Sequence, residues 1–212
     1  MTKAKLLSKK QIDSLFEILA ATIKPEGELN YRTSLDLLIA VVLSAQSTDV
    51  AVNKVTDELW KKCRSAEDYL VLGEEQLKEY LRKIGLFRNK ARAIIGLCKM
   101  LIEDFNGEVP DTREELMKLP GVGRKTANVV LNIAFKQPTI AVDTHVFRVA
   151  NRTGLANADK TDGVEEQLNK KVPEKYKLNA HHYLILHGRY CCKARKPLCN
   201  ECSIEEICKK NL

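Results

Sequence analysis

Apolar residues recur at helical rather than alternating spacing along almost the whole chain, and this period restricts the fold more than any other feature. A nearly all-helical protein is expected. Ten glycines and six prolines in 212 residues leave few places to break a helix. Ser8 to Gln11 has the form of a capping box, after which Ile12, Leu15, Phe16, Leu19 and Ile23 make one stripe before Lys24-Pro25 stops the helix. A second helix, from Ser34 to Leu43, is apolar nearly all round and should be central. Further helices are read over 48–62, 74–84, 88–104, 112–119, 124–135, 144–151, 163–171 and 180–190, with a last turn after Ser203. No internal repeat or flexible linker is visible, and the clearest shift in composition falls at Lys136-Gln137-Pro138.

A content of 44% hydrophobic and 30% charged residues fits a globular chain and excludes disorder and collagen. The longest apolar run, Leu37 to Leu43, is far short of the roughly 20 residues a membrane helix needs, so no membrane span is expected. Lys3, Lys5, Lys9 and Lys10 are followed by no apolar segment or small-residue cleavage site, which points to a cytoplasmic address without a secretory signal. The formal charge of +7 suits a nucleic-acid partner but also suits many basic proteins.

The run Leu119-Pro120-Gly121-Val122-Gly123-Arg124-Lys125-Thr126-Ala127 packs two glycines into a short turn between two amphipathic helices. A bare Gly-x-Gly is equally an ordinary helix corner. With the leading Leu-Pro and the trailing Lys-Thr-Ala it reads as a helix-hairpin-helix, in which Gly121, Val122 and Gly123 bring backbone up to a DNA phosphate. Amides at the start of the Arg124 helix would then bind that phosphate.

Five of the seven cysteines fall between Cys191 and Cys208, a local cluster that argues for a metal site rather than a disulfide framework. Cys192, Cys199, Cys202 and Cys208 follow the pattern Cys-x6-Cys-x2-Cys-x5-Cys. Four thiolates with one tight pair can hold zinc or an iron-sulfur cluster, and the single tight pair leans toward the cluster.

Taken together, these segments resemble the endonuclease III family, the bifunctional branch of the helix-hairpin-helix DNA glycosylases. The residues that carry the resemblance are Leu43-Ser44-Ala45-Gln46-Ser47-Thr48-Asp49, Ile84-Gly85-Leu86, the run from Leu119 to Leu131, Ala141-Val142-Asp143-Thr144-His145, His187-Gly188-Arg189-Tyr190 and the cysteine tail. They lie in the family's order and span essentially the whole chain.

The resemblance implies an all-α, two-domain fold: a helical barrel domain over 25–137, and a cluster domain that joins 1–24 to 138–212, with the active cleft between them. It makes Lys125 the nucleophile and Asp143 its catalytic partner. An amine that attacks the sugar must be neutral, and burial or a local base would have to supply about 4 kcal/mol to free it at neutral pH. A carboxylate about 5 Å away at an effective dielectric near 20 would favour the ammonium by roughly 3 kcal/mol, so Asp143 is expected to act on the sugar or by proton transfer rather than as a resting ion pair. Read alone, Asp143 is a good helix N-cap, and both roles are compatible.

A damaged nucleotide must leave the stack before its sugar is accessible. The family's polar plug and apolar wedge fall on Gln46 and Leu86, which without the resemblance would read as a helix-end polar residue and a core leucine. The tail becomes a 4Fe-4S site held by Cys192, Cys199, Cys202 and Cys208, with Lys193, Arg195 and Lys196 facing DNA phosphates. Cys191 doubles the first ligand; on a helix ending near Tyr190 its side chain would point about 100° from that of Cys192, so both sulfurs are not expected to face one iron.

The implied activity is base-excision repair of double-stranded DNA: removal of oxidised pyrimidines, then nicking of the abasic site by β-elimination, by a monomer acting in the cytoplasm at the nucleoid. A mismatch-directed adenine glycosylase shares hairpin and cluster, but such relatives generally lack the lysine at position 125 and carry a further C-terminal domain. A non-catalytic helix-hairpin-helix binding module would bind DNA without forming a covalent intermediate.

Overall fold

Ser8 caps the first helix, α1 (Lys9–Thr22), in a reciprocal box: its Oγ accepts from the Gln11 amide while the Gln11 side chain accepts from the Ser8 amide. The stripe foreseen in the sequence is the face that α1 buries, through Ile12, Leu15, Phe16 and Leu19. The structure, a computed structural model, describes residues 5–211; Lys3 and the rest of 1–4, and residue 212, lie outside the described residues. No strand occurs among the described residues. The chain divides into two compact units, one formed by 28–136 and the other by 1–27 together with 137–212.

In the unit over 28–136 the central element is α2 (Ser34–Ser44), which is buried from Leu35 through Leu43. A helix buried all round must also bury its first-turn Asp36, which is 1% exposed. Its charge is met by Arg32, whose Nε lies 2.8 Å from Oδ2 and whose Nη2 donates to Oδ1 at 3.3 Å. The same guanidinium lies over the Trp60 ring. Around α2 pack α3 (Asp49–Leu59), α5 (Phe87–Phe105) and α7 (Arg124–Phe135), while α4 (Ala66–Leu81) lies along α5 and the short α6 (Arg113–Leu116) leads into α7. Each fully buried leucine of this core contributes roughly 1.5–3 kcal/mol.

Two expectations are corrected in this unit. The apolar spacing predicts a helix over 74–84, whereas α4 begins at Ala66, capped by Ser65 and Asp68, and ends at Leu81. It bends at Gly73, where φ is 75°. The helix predicted over 112–119 survives only as α6, because the chain tightens into turns from Met117 to Leu119.

In the other unit α10 (Glu174–Tyr190) packs against α8 (Thr144–Thr153) and α1, and α9 (Thr161–Lys171) rests on α8. α10 starts at Glu174 rather than at the predicted Ala180. A single 3-10 turn over Cys199–Glu201 was not foreseen. Residues 5–7 are pinned beside the tail: the Leu7 amide donates to the Gly154 carbonyl at 2.9 Å, and Asn211 bonds both the amide and the carbonyl of Lys5. The approach is so close that a Cβ at Gly154 would sit 2.5 Å from the Lys5 carbonyl oxygen.

Candidate functional site

The hairpin between α6 and α7 is built around Gly121, at φ 80°, where a Cβ would stand only 2.9 Å from that of Ala93. Gly123 is different: it is the N-cap of α7, its φ is negative, and a Cβ there would meet nothing within 4 Å. A side chain at 123 would project into open space. Val122 is 7% exposed and its amide donates to the Leu119 carbonyl, so the valine secures the turn and its side chain is not offered to a ligand. The first turn of a helix has amides with no partner inside the helix, and in α7 that turn begins with Arg124 and Lys125, both exposed.

Gln46 and Leu86, read from the sequence alone as a helix-end residue and a core leucine, are both on the surface; Leu86 is 54% exposed. Both also hold left-handed backbone, at φ 54° and 59°. For Leu86 this is unusual, because it is the N-cap of α5 and N-caps are ordinarily extended. Left-handed backbone costs a residue with a Cβ roughly 1–2 kcal/mol, and such strain gathers at functional sites. The two loops touch: a Cβ on Gly85 would lie 3.0 Å from the Gln46 carbonyl oxygen. Sequence reasoning missed what joins them, the buried Lys90, whose ammonium donates to the carbonyls of Leu43 and Ala45 and to the hydroxyl of Ser47.

In the other unit Asp143 caps α8, its Oδ1 accepting from the amides of His145 and Val146 at 2.8 Å each. The cap uses Oδ1. Two arginines one turn apart on α8, also missed, hold the first cysteine loop by its carbonyls. Arg148 bonds those of Gly188 and Cys192, and Arg152 those of Lys193 and Ala194. Lys193, Arg195 and Lys196 on that loop are all exposed.

Five cysteines line one cavity: Cys191, Cys192, Cys199, Cys202 and Cys208. The sequence places Cys191 and Cys192 about 100° apart on a helix. α10 does end at Tyr190, but Cys191 is already its C-cap, and the helical 100° rotation no longer applies. Arg152 lies 3.9 Å from the Cys192 sulfur, and the Lys210 amide donates to that of Cys208 at 3.4 Å. Such donors suit thiolates, so the residues fit a thiolate-bound cluster. The Cys191 and Cys202 sulfurs and a His187 ring nitrogen all lie within 4.8 Å of one another. Burial pushes the Cys191 thiol up to about 12, with Cys202 adding to the effect, and pushes the His187 imidazole down to about 4.

Residues 39–174 match the HhH-GPD superfamily of base excision DNA repair proteins. Endonuclease III of Escherichia coli (strain K12) is 52% identical over 200 residues, covering 94% of this chain and 95% of its own. The chain belongs to the endonuclease III family. The family's representative in Rickettsia prowazekii (strain Madrid E) is also 52% identical, over 93% of this chain and 94% of its own. A solved endonuclease III, trapped as a covalent intermediate with DNA in an estranged-adenine complex, superimposes with a TM-score of 0.92 at 49% identity and 97% coverage of both chains. The all-helical fold with its hairpin is therefore that of the endonuclease III branch of the helix-hairpin-helix glycosylases.

Proposed function

We propose that this endonuclease III family member acts in base-excision repair, as a DNA glycosylase that also nicks the resulting abasic site. The observation that carries this reading is the near full-length likeness to an endonuclease III caught in a covalent intermediate with DNA, in a chain with an exposed lysine directly after its hairpin. Lys125 Nζ attacks the sugar C1′; the glycosidic bond breaks, and the base departs with the bonding electrons and is protonated. Ring opening gives an iminium on Lys125, which acidifies the C2′ proton, and loss of that proton expels the 3′ phosphate by β-elimination. Asp143, rigid as a cap, offers Oδ2 to the positive charge that develops on the sugar.

The substrate class is oxidised pyrimidines and abasic sites in double-stranded DNA, bound by a monomer in the cytoplasm, at the nucleoid. No helix among the described residues is long and apolar enough to cross a membrane. The hairpin at Gly121, Val122 and Gly123 engages a phosphate through backbone, Gln46 plugs the gap left by the extruded nucleotide, and Leu86 replaces its stacking. Cys192, Cys199, Cys202 and Cys208 would hold a 4Fe-4S cluster, which would brace the loop on which Lys193, Arg195 and Lys196 meet the DNA backbone.

Borohydride trapping on abasic duplex is the direct test. A covalent adduct is expected with the parent protein and none with Lys125→Gln, which should still bind the lesion. An adduct that persists in the variant would overturn the assignment of Lys125.

A further inference from the structure

We propose that Lys90 is a positioning residue for nucleotide extrusion, clamping the Gln46 loop to the start of the Leu86 helix so that plug and wedge act as one rigid unit. The inference rests on the reading of Gln46 and Leu86 given above. Lys90 lies in the first turn of α5, its own amide bonded to the Leu86 carbonyl at 3.1 Å. Its side chain is 6% exposed, so it does not reach DNA itself.

From there the ammonium spends three donors on the end of α2 and the loop beyond: Leu43 O at 2.9 Å, Ala45 O at 2.5 Å and Ser47 Oγ at 3.0 Å. Three is all an ammonium has. Leu43 and Ala45 are the final carbonyls of a helix with no basic residue in its own last turn, so Lys90 supplies from another element the positive charge that a helix C-terminus favours. Gln46 sits between two of the clamped residues and Leu86 one turn before the clamp.

The charge meets carbonyl and hydroxyl oxygens here rather than a carboxylate. Folding alone would be served as well by an apolar side chain at this position, since a buried cation must be desolvated and a methionine need not be. What a methionine cannot do is hold two loops in one register. Leu86 and Gln46 both keep left-handed backbone that a loose loop would relax. The clamp therefore preserves a strained pair aimed at a gap that forms only when a base leaves the stack.

The test uses full-length Lys90→Met, with Leu86→Ala as comparator, in single-turnover cleavage of an oxidised pyrimidine in paired duplex and of a preformed abasic site in single-stranded DNA. Lys90→Met is expected to slow paired duplex by about 10- to 100-fold while leaving the unpaired abasic site within about threefold, with the loss in the maximal single-turnover rate rather than in the enzyme concentration that half-saturates it. The double variant should be no slower than the slower single one, because both act on the same step.

Equal losses on both substrates would make Lys90 merely structural and overturn the proposal. Selectivity in Leu86→Ala but not in Lys90→Met would overturn it while leaving the wedge intact. Absence of selectivity in Leu86→Ala would remove the wedge itself, and the clamp's purpose with it. Should Lys90→Met fail to fold, Ser47→Ala removes one acceptor and keeps the charge; it is expected to slow paired duplex by about threefold relative to the unpaired site, and an unchanged ratio would overturn the proposal.

Discussion

Asn is as good an N-cap as Asp but carries no charge, so Asp143→Asn separates the two tasks of that carboxylate. The variant should keep the bonds to the His145 and Val146 amides and melt within about 0.5 kcal/mol of the parent, yet lose roughly 100-fold or more in base release. Asp143→Ala should lose about 1 kcal/mol of stability as well. Thermal melts beside single-turnover rates decide the matter, and an active Asp143→Asn would leave the residue as a cap alone. The doubled cysteine admits a parallel test. Cys192→Ser is expected to lose iron, acid-labile sulfide and visible absorption, whereas Cys191→Ser keeps all three, because the spacing shared with the family starts from Cys192 and a shift of one residue changes the direction of the first thiolate. A colourless Cys191→Ser beside a brown Cys192→Ser would reverse the ligand choice. Zinc in anaerobically purified parent protein would replace the cluster altogether.

The two hairpin glycines should fail in different ways. Gly121→Ala meets both a positive φ and a 2.9 Å contact with Ala93, and should cost about 2 kcal/mol or more of stability. Gly123→Ala has open space before it, so it should fold normally and weaken affinity for undamaged and damaged duplex alike. Chemical denaturation and DNA titration of both variants check this; a Gly123→Ala that binds normally would remove the phosphate from that side of the turn. Elements were legible in the sequence where an amphipathic stripe and a cap coincide, as in α1 and α8. The first half of α4 was missed because Tyr69-Leu70-Val71-Leu72 is a continuous apolar run with no helical period and Gly73 looks like a boundary; the Ser65 to Asp68 capping box was the signal available. Candidate residues showed wherever motif and turn chemistry sit together in sequence, as at Lys125 after its hairpin. Lys90 did not show, because its acceptors lie 43 to 47 residues away and a lysine near a helix start gives no hint of burial. Arg148 and Arg152 read as an exposed helical pair until the cysteine loop is seen folded over them.

At the scale of the whole molecule the formal charge of +7 is an association device more than a stabilising one. Replacing Lys193, Arg195 and Lys196 together by Gln should reduce the slope of log affinity against log salt by roughly 2 to 3 if all three meet phosphates. An unchanged slope would leave them as a solvated loop around the cysteines. The two units differ in how the chain makes them. The unit over 28–136 is one uninterrupted stretch with its own core, so it can close as soon as that stretch has left the ribosome. The other cannot. Lys5 and Leu7 come before the 28–136 stretch, yet their partners, Gly154 and Asn211, come after it, and the Lys5 to Asn211 pair spans 206 residues. Helix α1 therefore waits, with Leu15, Phe16 and Leu19 uncovered, until α10 exists to pack on it. Translation order thus sets a sequence of assembly: the hairpin is shaped first, and the thiol-lined cavity is closed by the same late event that buries the earliest helix.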